Sequence, residues 1–162
     1  MPAGPRLKYR SYIPKYAEFV FENVDSEFAR RSLKNKSGGI FTAIIGGLSY
    51  GQGSSREHAA ICPMYLGVRM VLAKSFERIH SDNLINFGIL PLTFINQADY
   101  DQLCVGDPIS ISGVRSLVME SDTLPVSIGD ADYTFRLTAS QRQRSILLEG
   151  GLLNYTRKRF NT

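Results

Sequence analysis

Cysteine and histidine are scarce in this chain. Two of each stand among 162 residues, with no tryptophan. Cys62 and Cys104 form no recognisable metal-ligand pattern, so the plain reading is two reduced, partly buried thiols in a cytoplasmic protein. With only His58 and His80 present, no Ser–His–Asp assignment is compelling. No apolar run approaches the roughly 20 residues that cross a bilayer, so no membrane partner is expected. The opening Met-Pro-Ala-Gly-Pro-Arg has no apolar h-region, which argues against a secretory signal. Internal repeats and low-complexity linkers are also missing.

Charge of one sign is only mildly in excess, at +4 net. Basic residues gather at the ends: Arg6, Lys8, Arg10 and Lys15 early, and Arg142, Arg144, Arg157, Lys158 and Arg159 late. A nucleic-acid surface would interleave such charges with aromatic stacking platforms, and these are not interleaved. A solvated face is the favoured reading. A pocket for an acidic small molecule is the other.

What remains is an ordinary globular composition, 43% hydrophobic and 21% charged, long enough for one domain with a real core. Residues 1–12 read as loop. Residues 14–22 and 25–35 read as helices, the second capped by Asp25 and stopped by Ser37-Gly-Gly39. A buried strand over 40–45 leads through a glycine-rich turn into a helix over 59–66. A strand over 68–73, an amphipathic helix over 76–87 and an extended segment over 89–94 follow. The helix places Phe76, Ile79, Leu84 and Phe87 near one face. This β–α–β–α–β order predicts a partly parallel sheet with helical crossovers.

The second half changes period. A short helix is expected over 96–103. Segments 108–112, 124–128 and 132–137 alternate like half-exposed antiparallel strands of a barrel-like layer, the last two split by Gly129-Asp130. Ser140 is placed to cap a helix over 141–149, and Gly150-Gly151 separates it from a last helix over 152–159.

The chemistry concentrates at Tyr50-Gly-Gln-Gly-Ser-Ser-Arg-Glu-His58. The nucleophile elbow G-x-S-x-G does not fit, and no lysine follows as a phosphate-binding P-loop requires. Arg56 stands where a dinucleotide fingerprint needs its third glycine. Carboxylate recognition fits better. Arg56 is expected in the first turn of the helix, where its planar fork and the helix N–H groups favour an anion. Ser54 and Ser55 bring hydroxyls beside that anion, and Gly51 and Gly53 permit positive φ and close approach. The blander alternative is that one serine simply caps the helix. Glu57 and His58 read as supporting residues that fix Arg56 and the turn, or as a dipole complement and a structural histidine. Lys74, Ser75 and Arg78 follow the second strand at what should be the same sheet edge. They either face the pocket or serve as cap and surface charge.

These residues resemble the aconitase family. Gly46-Gly47 with Tyr50-Gly-Gln-Gly-Ser-Ser-Arg-Glu-His-Ala-Ala60 looks like the signature of its C-terminal swivelling domain. So do Val71-Leu-Ala-Lys-Ser-Phe-Glu-Arg-Ile-His80, Asn86-Phe-Gly-Ile-Leu-Pro-Leu-Thr-Phe94 and the early Ala3-Gly-Pro with Leu7-Lys-Tyr-Arg10. The resemblance implies an α/β fold, a mixed β/β/α three-layer swivelling domain. It implies isomerisation of citrate to isocitrate through cis-aconitate, with a [4Fe-4S] cluster as Lewis acid. Ser54 matches the position of the serine base that removes the carbon-bound proton. Arg10, Ser55 and Arg56 match substrate-binding positions.

The departures bear on the same point. The family's three cluster cysteines lie in a larger N-terminal region, and Cys62 and Cys104 do not match them. Gln52 stands where many relatives have glutamate. The pattern begins inside the family's own, so residues 1–162 are expected to be one swivel domain cut from a longer chain and inactive alone. Its expected partners are the cluster-bearing domains and citrate, isocitrate and cis-aconitate. Two other readings stay open: the small subunit of an isopropylmalate- or homoaconitate-type dehydratase, and an RNA-binding aconitase relative.

Overall fold

A computed structural model of the chain describes residues 4–53 and 56–160. After a 3-10 segment, Gly4–Tyr9, come helices α1 (Ile13–Ala17) and α2 (Phe28–Ser37), then strand β1 (Thr42–Gly46). Helix α3 (His58–Tyr65), strand β2 (Val68–Ala73), helix α4 (Arg78–Asn86) and strand β3 (Leu90–Phe94) complete the first half. The second half has a 3-10 segment, Gln97–Gln102, strand β4 (Ile109–Ser110) and helix α5 (Val114–Glu120). It continues with strands β5 (Thr123–Ile128) and β6 (Ala131–Arg136) and helices α6 (Gln141–Leu148) and α7 (Leu152–Phe160).

All six strands join one mixed sheet in the order β1-β2-β3-β6-β5-β4. β1, β2 and β3 run parallel, so each connection needs a crossover, and α3 and α4 supply them. β6 pairs antiparallel with β3, placing Phe135 opposite Phe94. The expected mixed α/β fold is borne out, with its parallel and antiparallel parts joined at that seam.

Residue pattern accounts for both parts. β2 is buried along its length except at Arg69, as a parallel strand covered on both faces must be. Met70 and Leu72 enter one core with Leu92, Phe94, Phe135 and Val118, while Val71 enters another with Ile44, Ala60, Leu84 and Ile89. β5 alternates instead: Leu124, Val126 and Ile128 are buried and the residues between them exposed. A third apolar cluster packs α1 against α3 through Tyr16, Ala17, Val20, Cys62 and Leu66.

Several boundaries differ from the sequence expectation. α1 is one turn long, because Pro14 fits only its start and Phe21 takes a positive φ of 59°. Asp25 accepts the Glu27 N–H and pairs with Arg31, but α2 begins at Phe28. α4 begins at Arg78, since Phe76 stays extended to pair with Tyr50. Its buried face is His80, Leu84 and Ile85, and Ile79, expected inside, is 52% exposed. α5 was not anticipated. Ser140 caps α6 as expected, in a reciprocal capping box with Gln143.

Candidate functional site

The turn after β1 and the turn after β2 are laced together. The Lys74 N–H donates to the Gly47 carbonyl at 3.1 Å, and the Tyr50 N–H to the Ser75 carbonyl at 2.9 Å. The Glu77 N–H donates to the Tyr50 carbonyl at 3.0 Å, and the Ser75 hydroxyl accepts the Ser49 N–H at 2.7 Å. Tyr50 and Phe76 therefore extend the parallel β1–β2 pairing one step past the sheet edge. Both turns lie at the carboxyl ends of parallel strands, where open α/β sheets gather ligands.

Aromatic rings fill the space under this turn. A Cβ on Gly46 would stand 2.4 Å from the Tyr50 ring, and one on Gly51 would stand 2.3 Å from the His80 side chain. Gly51 also holds φ at 99°, so both its backbone and its neighbour require glycine. His80 is 3% exposed and lies 5.3 Å from the Tyr50 ring, centroid to centroid. Its ring nitrogens have no hydrogen-bond partner among the described residues. Burial lowers its pKa, which holds the imidazole neutral. A cavity of about 180 Å³ behind the turn is bounded by Val20, Phe21, Tyr50, Gly51, Pro63 and His80, among others.

Ser54 and Ser55 lie outside the described residues. Arg56 comes two residues before α3 and is exposed. Glu57 holds the N-cap position, and its side chain makes no capping bond. The lead-in is a tight turn in which the Arg56 and Glu57 carbonyls accept the N–H groups of Ala59 and Ala60. Arg56 has no hydrogen bond or ion pair among the described residues, and its charge acts on the Tyr16 hydroxyl. Neither Glu57 nor His58 bonds to it in the way the sequence suggested.

His58 reaches elsewhere. Its Nε2 lies 3.1 Å from the Arg10 carbonyl oxygen, to which it donates. Its ring meets Tyr16 edge-on at 5.5 Å, and the Glu57 carboxylate approaches Nδ1 at 3.8 Å. Tyr16, buried on α1, has its hydroxyl pKa raised by burial and by the Cys62 thiol, with the Arg56 charge opposing. The arm carrying Arg10 and the lead-in carrying Arg56 thus meet around His58 and Tyr16. Arg10 is exposed and its side chain is likewise unpaired among the described residues.

The second expected group divides. Ser75 holds the turn through the bonds above. Lys74 points its ammonium at the Tyr100 ring, 4.5 Å from the centroid, with Asp101 at 3.9 Å. Arg78 opens α4 on the exposed side. Sequence reasoning missed Tyr16, which stands in an unremarkable helix, and the place of His80 beneath Gly51.

The family model for the aconitase C-terminal domain matches residues 6–97. The chain belongs to that family. A probable mitochondrial aconitate hydratase of Dictyostelium discoideum is 35% identical over 94% of this chain and 23% of its own length. The mitochondrial homocitrate dehydratase of Saccharomyces cerevisiae is 36% identical over 76% of this chain and 17% of its own. A solved 3-isopropylmalate dehydratase chain from Methanocaldococcus jannaschii superposes with a TM-score of 0.70 at 29% identity. That match covers 98% of this chain and 84% of the other. The chain thus spans about a quarter or less of the two curated relatives, yet most of a dehydratase chain of similar length.

The cytoplasmic expectation is corrected by these relatives. Both curated enzymes are named mitochondrial, as is the aconitate hydratase of Gracilaria gracilis at 34% identity.

Among the described residues no group of three or more His, Cys, Asp or Glu could hold a metal. Cys62 is fully buried, with its thiol pushed up to about 12 by that burial, and Cys104 is exposed on a separate loop. These two cysteines do not fit an iron–sulfur cluster.

Proposed function

We propose that this chain is the swivel domain of an aconitase-type hydro-lyase, supplying the base and the carboxylate clamps of a composite active site. The observation that carries this reading is the laced pair of turns, with the Arg56 lead-in and the Arg10 arm meeting around His58 and neither cation paired among the described residues. Two guanidinium groups suit a substrate bearing several carboxylates, because each can bind one bidentately. Ser54 would take the carbon-bound proton. Ser55 would hold the substrate beside it. A serine is a poor base in water, so its alkoxide needs nearby donors and cations, and Arg56 is the local one.

The [4Fe-4S] cluster that the family implies would be held outside residues 1–162, by other domains of the same chain or by a separate chain. In this reading residues 1–162 form one domain, and alone they turn over nothing. Citrate, isocitrate and cis-aconitate are the proposed substrates, and the aconitate hydratase relatives support them. Homocitrate and isopropylmalate are the second reading, supported by the yeast homocitrate dehydratase and the archaeal isopropylmalate dehydratase chain.

The test is steady-state turnover of the assembled enzyme on citrate, cis-aconitate, homocitrate and isopropylmalate, beside the isolated chain. Turnover of a tricarboxylate by the assembly alone is expected. Turnover by the isolated chain would overturn the half-site reading. An assembly inert toward all four would overturn the hydro-lyase reading.

A further inference from the structure

We propose that His58 is a positioning residue that sets where Arg10 stands in the site. This rests on the reading above that Arg10 binds substrate. Arg10 sits at the end of the 3-10 segment, in an exposed stretch ahead of α1, where backbone bonds are local: its N–H donates to Leu7 and that of Tyr12 to Tyr9. The rest of the arm is anchored toward residues after α1. Arg6 pairs with Glu22 and lies over the Phe19 ring, and Tyr9 stacks on the same ring at 5.5 Å. Among the described residues, the His58–Arg10 bond is the hydrogen bond that ties the arm to α3. It spans 48 residues of sequence at 3.1 Å.

The imidazole is itself held on several sides. Tyr16, 3% exposed, presses its edge, and α3 fixes the backbone. Donating to a carbonyl requires the proton on Nε2, and the buried Nδ1 has no hydrogen-bond partner among the described residues. One side chain, two residues from Arg56, therefore determines the spacing between the two proposed clamps. A ligand's carboxylates have fixed separations, so a loosened Arg10 weakens binding while the base beside Arg56 is undisturbed.

The experiment compares His58→Leu, which removes the donor, with His58→Gln, which keeps an N–H at similar reach, in the assembled enzyme. His58→Leu should raise KM about tenfold, the equivalent of one ordinary hydrogen bond, with kcat changed less than twofold. His58→Gln should recover most of the loss. In an Arg10→Lys background His58→Leu should add little, because both changes remove one interaction. A fall in kcat at constant KM, or a fully multiplicative double variant, would overturn the proposal. Hydrogen–deuterium exchange of the isolated chain provides a readout free of activity. His58→Leu should speed exchange in the peptide over 7–12 while His58→Gln does not, and equal protection in all three proteins would overturn the tether. If the assembly turns over no substrate, the proposed function fails while this arm still decides the tether. If His58→Leu does not fold, exchange in His58→Gln decides: wild-type protection supports the tether and loss of protection overturns it.

Discussion

Arg56 and Arg144 are the same side chain in opposite circumstances. Arg144 is 4% exposed, and its donors are taken up by backbone and by one carboxylate. Its Nη1 donates to the Val118 and Ser121 carbonyls, both at 2.6 Å, and its Nε to the Ala139 carbonyl at 3.1 Å. Its Nη2 pairs with Asp122. It closes the C-terminal end of α5 and pins α6 over the antiparallel strands. Arg56 is exposed and bonds to none of the described residues. A buried arginine whose donors are taken up by carbonyls holds a fold together, whereas Arg56 stands exposed beside glycine-rich backbone. The two halves follow the same division. Arg144 lies in the half built on antiparallel strands, and Arg56 lies on the lead-in to α3, the crossover between two parallel strands.

Removing each of these two arginines in turn is the sharpest way to break that comparison. Arg56→Ala in the assembled enzyme should cut turnover by ~100- to 1000-fold, the scale for losing a preorganised charge-stabilising donor. Its unfolding free energy from urea titration should stay within ~0.5 kcal/mol of wild type, as for most surface changes. Arg144→Ala should do the reverse, losing ~3 kcal/mol of stability as buried carbonyls lose their donor, while the folded fraction keeps its kcat. An unfolded Arg56 variant, or an Arg144 variant of normal midpoint, would contradict the contrast.

Two glycines of the motif turn separate space from strain. Gly51→Ala meets both the His80 side chain and a positive φ, and should cost ~2–3 kcal/mol in urea unfolding. Gly53, with φ at 90°, has no described residue within 4 Å of an added Cβ, so Gly53→Ala should cost ~1 kcal/mol. Equal costs would remove His80 as the support of Gly51.

His80 should also make the parallel half the acid-sensitive one. Its folded pKa lies below the unfolded value of 6.5. The unfolded chain therefore binds the proton more readily, and His80 contributes stability in full above pH 6.5 that is lost as pH falls through the folded value. The urea midpoint should decline across that window in wild type and flatten in His80→Gln. An identical decline in both would assign the sensitivity elsewhere. The mildest contrast lies between the thiols: Cys104 should be alkylated in the native protein and Cys62 only on unfolding, as mass spectrometry of peptides would register. Native labelling of Cys62 would show that the α1–α3 core opens.

Much of this was legible because the signals were local. The alternation at 124–128, the break at Gly129-Asp130 and the Ser140 cap each depend on a few neighbouring residues, and each appears where expected. α5 was not legible. Val114 to Glu120 follows a left-handed Gly113 with no side-chain cap, and of its residues only Val118 is buried. The start of α4 was misplaced because Phe76 pairs with Tyr50, a partner 26 residues away. At the site, the motif exposed Arg56 to sequence reasoning. The Arg10–His58 contact has no local signature, since neither residue constrains the other until the fold brings them together.

The lacing of the two turns has a consequence for loop exchange between relatives. The backbone of 47–50 finds its hydrogen bonds on 74–77, and the Ser75 hydroxyl closes on Ser49. A donor loop placed at the first position alone would arrive with its bonding pattern facing a foreign counterpart. Any transplant of specificity must therefore carry both segments as one cassette, although in the chain they are separated by a helix and a strand.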